Sequence, residues 1–138
     1  MHEITVKIGR DDHVWSFDAQ RQPVVTVDPG TIIEIETWDC FTGQVQSEED
    51  TLEKLDLARV NSATGPIGVR GAEPSDTLSV TLLDIRPNKQ GAAMCIPEWG
   101  QLIDTVHSPT TRIFRVVDGT VTMNDLSLIH ISSAMRRS

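Results

Sequence analysis

Asn61-Ser-Ala-Thr-Gly-Pro-Ile-Gly-Val-Arg70-Gly-Ala-Glu-Pro-Ser-Asp-Thr-Leu-Ser-Val80-Thr-Leu-Leu-Asp-Ile85 joins a turn region punctuated by glycine and proline to the longest alternating apolar run in the chain. Gly65, Gly68 and Gly71 recur every three residues, Pro66 and Pro74 fix φ, and Ser75-Asp76 leads into an extended run. The pattern predicts short extended pieces around a tight loop. In the run that follows, Leu78, Val80 and Leu82 share one face of a strand over Thr77–Ile85, with a bulge or two-sided burial near Leu82-Leu83. Leu78, Val80 and Leu82 are expected to share a core with Ile33 and Ile35.

Working outward, the chain reads as β-rich. Glu3–Ile8 alternates with Ile4, Val6 and Ile8 on one face, and His13–Phe17 is a second short candidate. Val24–Val27 and Thr31–Trp38 flank Asp28-Pro29-Gly30 and predict a hairpin running into Asp39-Cys40. The stretch 47–60 is the one predicted helix, two to three turns long, with Ser47 and Asp50 as a weak capping box and Leu52 and Leu55 on one face. Ala92–Ile96 predicts another strand. Ile113–Val117 and Thr120–Met123, joined by Asp118-Gly119, form the clearest hairpin signal. The fold class expected is mainly β, a β-sandwich of jelly-roll type with one short helix.

Composition narrows the partners. The chain has 138 residues and a formal net charge of -8, which argues against nucleic acid or an anionic membrane surface. No apolar run approaches the roughly 20 residues needed to span a bilayer, and the N-terminus lacks a signal-peptide layout, so a cytoplasmic protein is expected. Cys40 and Cys95, few and far apart, fit reduced thiols.

The pattern Asn-x-x-Thr-Gly-Pro-(apolar)-x-Val-x-Gly-Ala-Glu-Pro-x-Asp-x-Leu-x-Val-x-(apolar)-Leu-Asp-Ile over residues 61–85 resembles the signature of the acetamidase/formamidase family of amide hydrolases. The resemblance covers residues 4–125, as one N-terminal β domain of such a protein. Residues 126–138 match nothing in the family and are expected to be a non-native or disordered tail. The family's downstream Gly-Asp-x-His-Ala and Gly-Asp-Gly-Glu motifs do not occur here. The resemblance implies metal-assisted hydrolysis of a short aliphatic amide to a carboxylate and ammonia, a small amide substrate, and a homo-oligomer in the full-length form. With only part of the site present, the 138-residue chain alone is expected to be inactive. The reading from another class is a non-catalytic β-sandwich module for binding or oligomerisation.

Amide hydrolysis needs a nucleophile or activated water, a proton donor for the amine, and stabilisation of the oxyanion. No Gly-x-Ser-x-Gly elbow or His-Glu-x-x-His helix supplies them. The best constellation is Asp39-Cys40-x-x-Gly43-Gln44, at a strand end and similar to the family's Asp-Cys/Ala-x-x-Gly-Gln segment. Asp39 is the catalytic candidate and, with His13, the candidate ligand of a divalent metal, zinc or calcium. A strand-end turn cap is the competing reading of Asp39, and a surface hydrogen bond that of His13. Cys40 and Gln44 are expected to line the substrate pocket beside Asn61, Thr64 and Gly65. Cys40 lacks the Glu and Lys partners of a nitrilase-type nucleophile and is not read as one. Glu73 fits a turn better than a site carboxylate.

Overall fold

The computed structural model describes residues 4–101, 103–118, 120–123 and 127–130. They are mainly strand with almost no helix, as the alternation predicts. The chain divides into two compact units, one from residues 1–44 and 56–77, the other from 45–55 and 78–138.

The first unit holds six very short strands: β1 (Val6–Ile8), β2 (His13–Val14), β3 (Val25–Val27), β4 (Ile33–Ile35), β5 (Ala63–Thr64) and β6 (Ile67–Val69). They pair as three separate ladders: β1 with β4 in parallel, β2 with β5 antiparallel, and β3 with β6 in parallel. Loop bonds lengthen the ladders, including Thr5 N–H to Ile32 O at 3.1 Å, Glu36 N–H to Ile8 O at 3.0 Å and Arg70 N–H to Val27 O at 2.8 Å. Ile8, Val14 and Val27 are its buried apolar side chains.

The hairpin expected around Asp28-Pro29-Gly30 does not form. The turn itself closes, with Thr31 N–H and Thr31 Oγ1 both donating to Asp28 O at 3.2 and 2.7 Å. Pro29 followed by Gly30 at φ 86° is an unprimed turn chemistry, whose twist splays the flanking strands instead of pairing them. β3 and β4 therefore take different partners.

The second unit contains one antiparallel sheet of β7 (Gln90–Cys95), β8 (Thr110–Val117), β9 (Thr120–Met123) and β10 (Ser127–His130), in the order β10-β9-β8-β7. The predicted hairpin is present: Val117 faces Thr120 and Val116 faces Val121, with Asp118 at φ 49° as the primed turn demands. β7 matches the strand expected over 92–96. β10 places a strand in a stretch read as tail, with Leu128 opposite Thr122; Leu126 and residues 131–138 lie outside the described residues.

The predicted helix over 47–60 is replaced by two single 3₁₀ turns, Leu52–Lys54 in the second unit and Leu57–Arg59 in the first. The capping pair does form, since the Asp50 carboxylate accepts from the N–H groups of Gln46 and Ser47 at 2.9 and 2.8 Å. Two apolar residues cannot propagate the helix against its nucleation cost. Asp56 then starts a fresh turn by accepting from Ala58 N–H at 3.0 Å.

The other correction concerns Leu78, Val80 and Leu82. They face no core, at 72%, 69% and 59% exposed, and Ile35 is itself 45% exposed. No strand forms over Thr77–Ile85, because alternation assigns faces but supplies no partner.

Candidate functional site

The residues singled out from the sequence fall on three segments of the first unit, 10–15, 36–44 and 59–66, joined by hydrogen bonds. Trp38 is the pillar of the second segment. The Arg10 guanidinium lies 4.0 Å from its ring centroid, a cation–π contact. Gly43 packs against the ring so closely that a Cβ there would sit 2.9 Å from Cζ3. With φ 72°, Gly43 also occupies the left-handed region that side chains strain to enter. Trp38 Nε1 is buried with no partner among the described residues.

Asp39 closes the turn around that ring. Its Oδ1 accepts from Phe41 N–H at 2.8 Å, its Oδ2 from Gly43 N–H at 2.9 Å, and its carbonyl from Thr42 N–H at 2.9 Å. This is the strand-end cap that competed with the ligand reading. Gln44 is a clamp: its Nε2 donates to the carbonyls of Asp56 and Arg59, each at 3.2 Å, and its Oε1 accepts from Asp56 N–H at 2.8 Å. Thr42 Oγ1 adds a bond to Arg59 O at 2.8 Å.

The signature loop docks on the same segment. Asn61, at φ 56°, donates its N–H to Cys40 O at 2.7 Å. Thr64 Oγ1 donates to Glu36 O at 2.8 Å, Gly65 N–H to Asp12 O at 2.8 Å, and Thr64 lies opposite His13 in the β2–β5 ladder. His13 Nδ1–H donates to Arg10 O at 2.9 Å, which leaves the lone pair of a neutral ring on Nε2, and its ring meets Trp15 edge-on at 4.9 Å. Partial burial of the thiol, and then the neighbouring Asp39 carboxylate, push Cys40 above the ordinary thiol value of 9.0.

Among the described residues no three His, Cys, Asp or Glu side chains converge on one point, so those residues do not by themselves make up a zinc or calcium ligand set. Nor, among those residues, is any serine or cysteine hydrogen-bonded to a histidine.

Sequence reasoning missed Arg10 and Trp38, whose contact spans 28 positions and follows no short motif. It also missed an open hollow of ≈ 330 Å³ in the first unit, lined by Val14, Ser16, Phe17, Asp18, Arg21 and Pro66 among others. None of the predicted site residues lines it, and Phe17 is 92% exposed at its rim, so it does not enclose a ligand.

The comparisons with known proteins agree with the signature. A family model described as the Acetamidase/Formamidase family matches residues 14–126. A formamidase from Methylophilus methylotrophus is 33% identical over 90 residues, which are 58% of this chain and 22% of that protein. An acetamidase from Mycolicibacterium smegmatis is 38% identical over 78 residues, 54% of this chain and 19% of that protein. A crystal structure of an acetamidase from Bacillus halodurans superposes with a TM-score of 0.86 and 32% identity, covering 90% of this chain and 42% of that one. The chain thus spans less than half of the relatives it matches. Among the described residues no helix is long and apolar enough to cross a membrane. With the family model covering most of the chain, this protein belongs to the acetamidase/formamidase family.

Proposed function

We propose that this chain provides one polar wall of the active site of an amide hydrolase for short aliphatic amides, and that the 138-residue chain alone releases no ammonia. One observation carries the reading: Asp39 holds the turn that carries Cys40, Asn61 N–H bonds to Cys40 O, Gln44 docks on Asp56 and Arg59, and Thr64 and Gly65, from the same family-like text, bond to Glu36 O and Asp12 O. Such an assembly holds backbone dipoles and hydroxyls still, which is what positioning a small amide requires. Orienting the amide is the part of the reaction this proposal gives it. Asp39 acts by holding the turn, and His13 offers Nε2 as a proton acceptor beside Thr64. A full-length homo-oligomer, supported by the family resemblance, and a cytoplasmic location, supported by the N-terminal layout, are part of this proposal.

The test has two arms. Purified chain incubated with formamide or acetamide gives no ammonia above a heat-killed control. A longer protein carrying this sequence together with the Gly-Asp-x-His-Ala text gives ammonia, and Asp39→Ala in it lowers the rate by about 10²-fold or more. Ammonia release by the 138-residue chain that Asp39→Ala abolishes would show that this half suffices.

A further inference from the structure

The parallel pairing of β1 with β4 sets Ile8 opposite Ile35 and ends on one more main-chain bond, Glu36 N–H to Ile8 O at 3.0 Å. Two residues further along each chain stand Arg10 and Trp38. There a side-chain contact takes over from the ladder, with the guanidinium carbon 4.0 Å from the ring centroid. Arg10 is exposed and Trp38 half-buried. A planar guanidinium suits such a place, because its charge is drawn to the indole face while its N–H groups stay hydrated.

Both partners lead into the candidate site. Arg10 O accepts from His13 Nδ1–H at 2.9 Å, and Asp12 O in the same loop accepts from Gly65 N–H at 2.8 Å. On the other side Trp38 precedes Asp39, and its ring abuts Gly43, whose N–H donates to Asp39 Oδ2 at 2.9 Å. A Cβ at Gly43 would lie 2.9 Å from Cζ3, so the ring and the turn do not shift independently. Trp38 Nε1 is buried without a partner among the described residues, so packing and the cation hold the ring where no hydrogen bond at that atom does.

We propose that Arg10 is a positioning residue of the candidate site: acting through Trp38, it holds the Asp39 turn against the loop that carries His13. Its part in the reaction rests on the amide-hydrolase reading, whereas its hold on the turn is measured without any reaction.

The test has an arm for each. In the 138-residue chain, Arg10→Met keeps the length of the side chain and removes its charge. Amide exchange at Phe41 and Gly43, whose N–H groups Asp39 holds, then quickens about two- to fivefold, as expected for losing one cation–π contact at an exposed site. Arg10→Lys, which keeps a cation, stays within about twofold of the unsubstituted chain. Arg70 N–H, bonded to Val27 O beside the β3–β6 ladder, keeps its rate in both variants. In a longer protein carrying this sequence together with the Gly-Asp-x-His-Ala text, Arg10→Met lowers kcat for formamide about tenfold with KM within about twofold, and Arg10→Lys restores most of it. The proposal is overturned if Phe41 and Gly43 are indifferent to Arg10→Met, if Arg70 quickens equally, if Arg10→Lys exchanges as fast as Arg10→Met, or if an active longer protein keeps its kcat. A longer protein inactive before substitution overturns the amide-hydrolase reading instead, and the exchange arm then decides the hold on the turn by itself.

Discussion

The first unit ties together strands of two or three residues, whereas the second has strands of four to eight residues and an extended segment that pairs with nothing described. In the first, side chains do what ladders are too short to do. Asp39, Thr42, Gln44 and Thr64 each bond to a main-chain group, and these bonds hold the loops on which the candidate site lies. In the second, main-chain ladders hold the sheet, and an equally apolar run beside them stays exposed. Burial follows partnership, and a strand pattern without a partner contributes nothing to stability.

The sharpest way to break this contrast is to truncate one apolar side chain in each region. Ile8 is 4% exposed and Leu78 is 72% exposed. Ile8→Ala is expected to cost about 2–5 kcal/mol in denaturant unfolding, the usual range for a buried Ile. Leu78→Ala should stay within about 0.5 kcal/mol at concentrations low enough to keep the chain monomeric. Equal losses would mean that Leu78 is covered in solution.

Glycines sharpen the same comparison at a smaller scale. A Cβ on Gly68 in β6 would sit 2.9 Å from Thr26 Oγ1 and 3.0 Å from Pro23 Cγ, while one on Gly91 in β7 meets nothing within 4 Å. Thr26 can rotate but the Pro23 ring cannot, so Gly68→Ala should cost about 1–3 kcal/mol. Gly91→Ala should be neutral or stabilising by about 0.4–1 kcal/mol, through a less flexible unfolded chain. Thermal melts of the two variants decide it.

The parts legible in the sequence were those whose cause is local. Asp118-Gly119 between β-branched runs encodes its hairpin in two residues, and β1, β3 and β4 lie inside their predicted spans because alternation is a property of a few neighbours. Pairing was not legible. Pro29-Gly30 reads as a turn, but whether β3 and β4 then meet depends on the turn's hand and on partners 42 residues on for β3 and 27 residues back for β4. The site behaved likewise. The grouping of Asp39, Asn61 and Thr64 followed from family-like text, while the use of both Asp39 oxygens on Phe41 and Gly43 emerged only from the fold of the turn. The Arg10–Trp38 contact has no sequence signal at all.

The smallest expected effect concerns how the second unit is anchored. Asp50 accepts from Gln46 N–H and Ser47 N–H, and its own carbonyl accepts from the buried Thr111 Oγ1 at 2.6 Å, which fastens the turn to β8. The two backbone N–H groups, in that order, hold its carboxyl below the ordinary value of 3.8. A folded value below the unfolded one means that the stabilisation is present above pH 3.8 and is lost as pH falls from 3.8 through the folded value. Asp50→Asn should therefore lower stability slightly at neutral pH and flatten its decline through that acid window. Ser47→Ala, which removes the hydroxyl bond to Asp50 at 3.1 Å and the one Ser47 Oγ accepts from Glu49 N–H at 3.3 Å, should leave most of the acid dependence in place. Carboxyl-carbon NMR of Asp50 gives the direction directly: a midpoint at or above 3.8 would mean that the turn does not hold the carboxylate in solution, and that β8 alone orders the start of this unit.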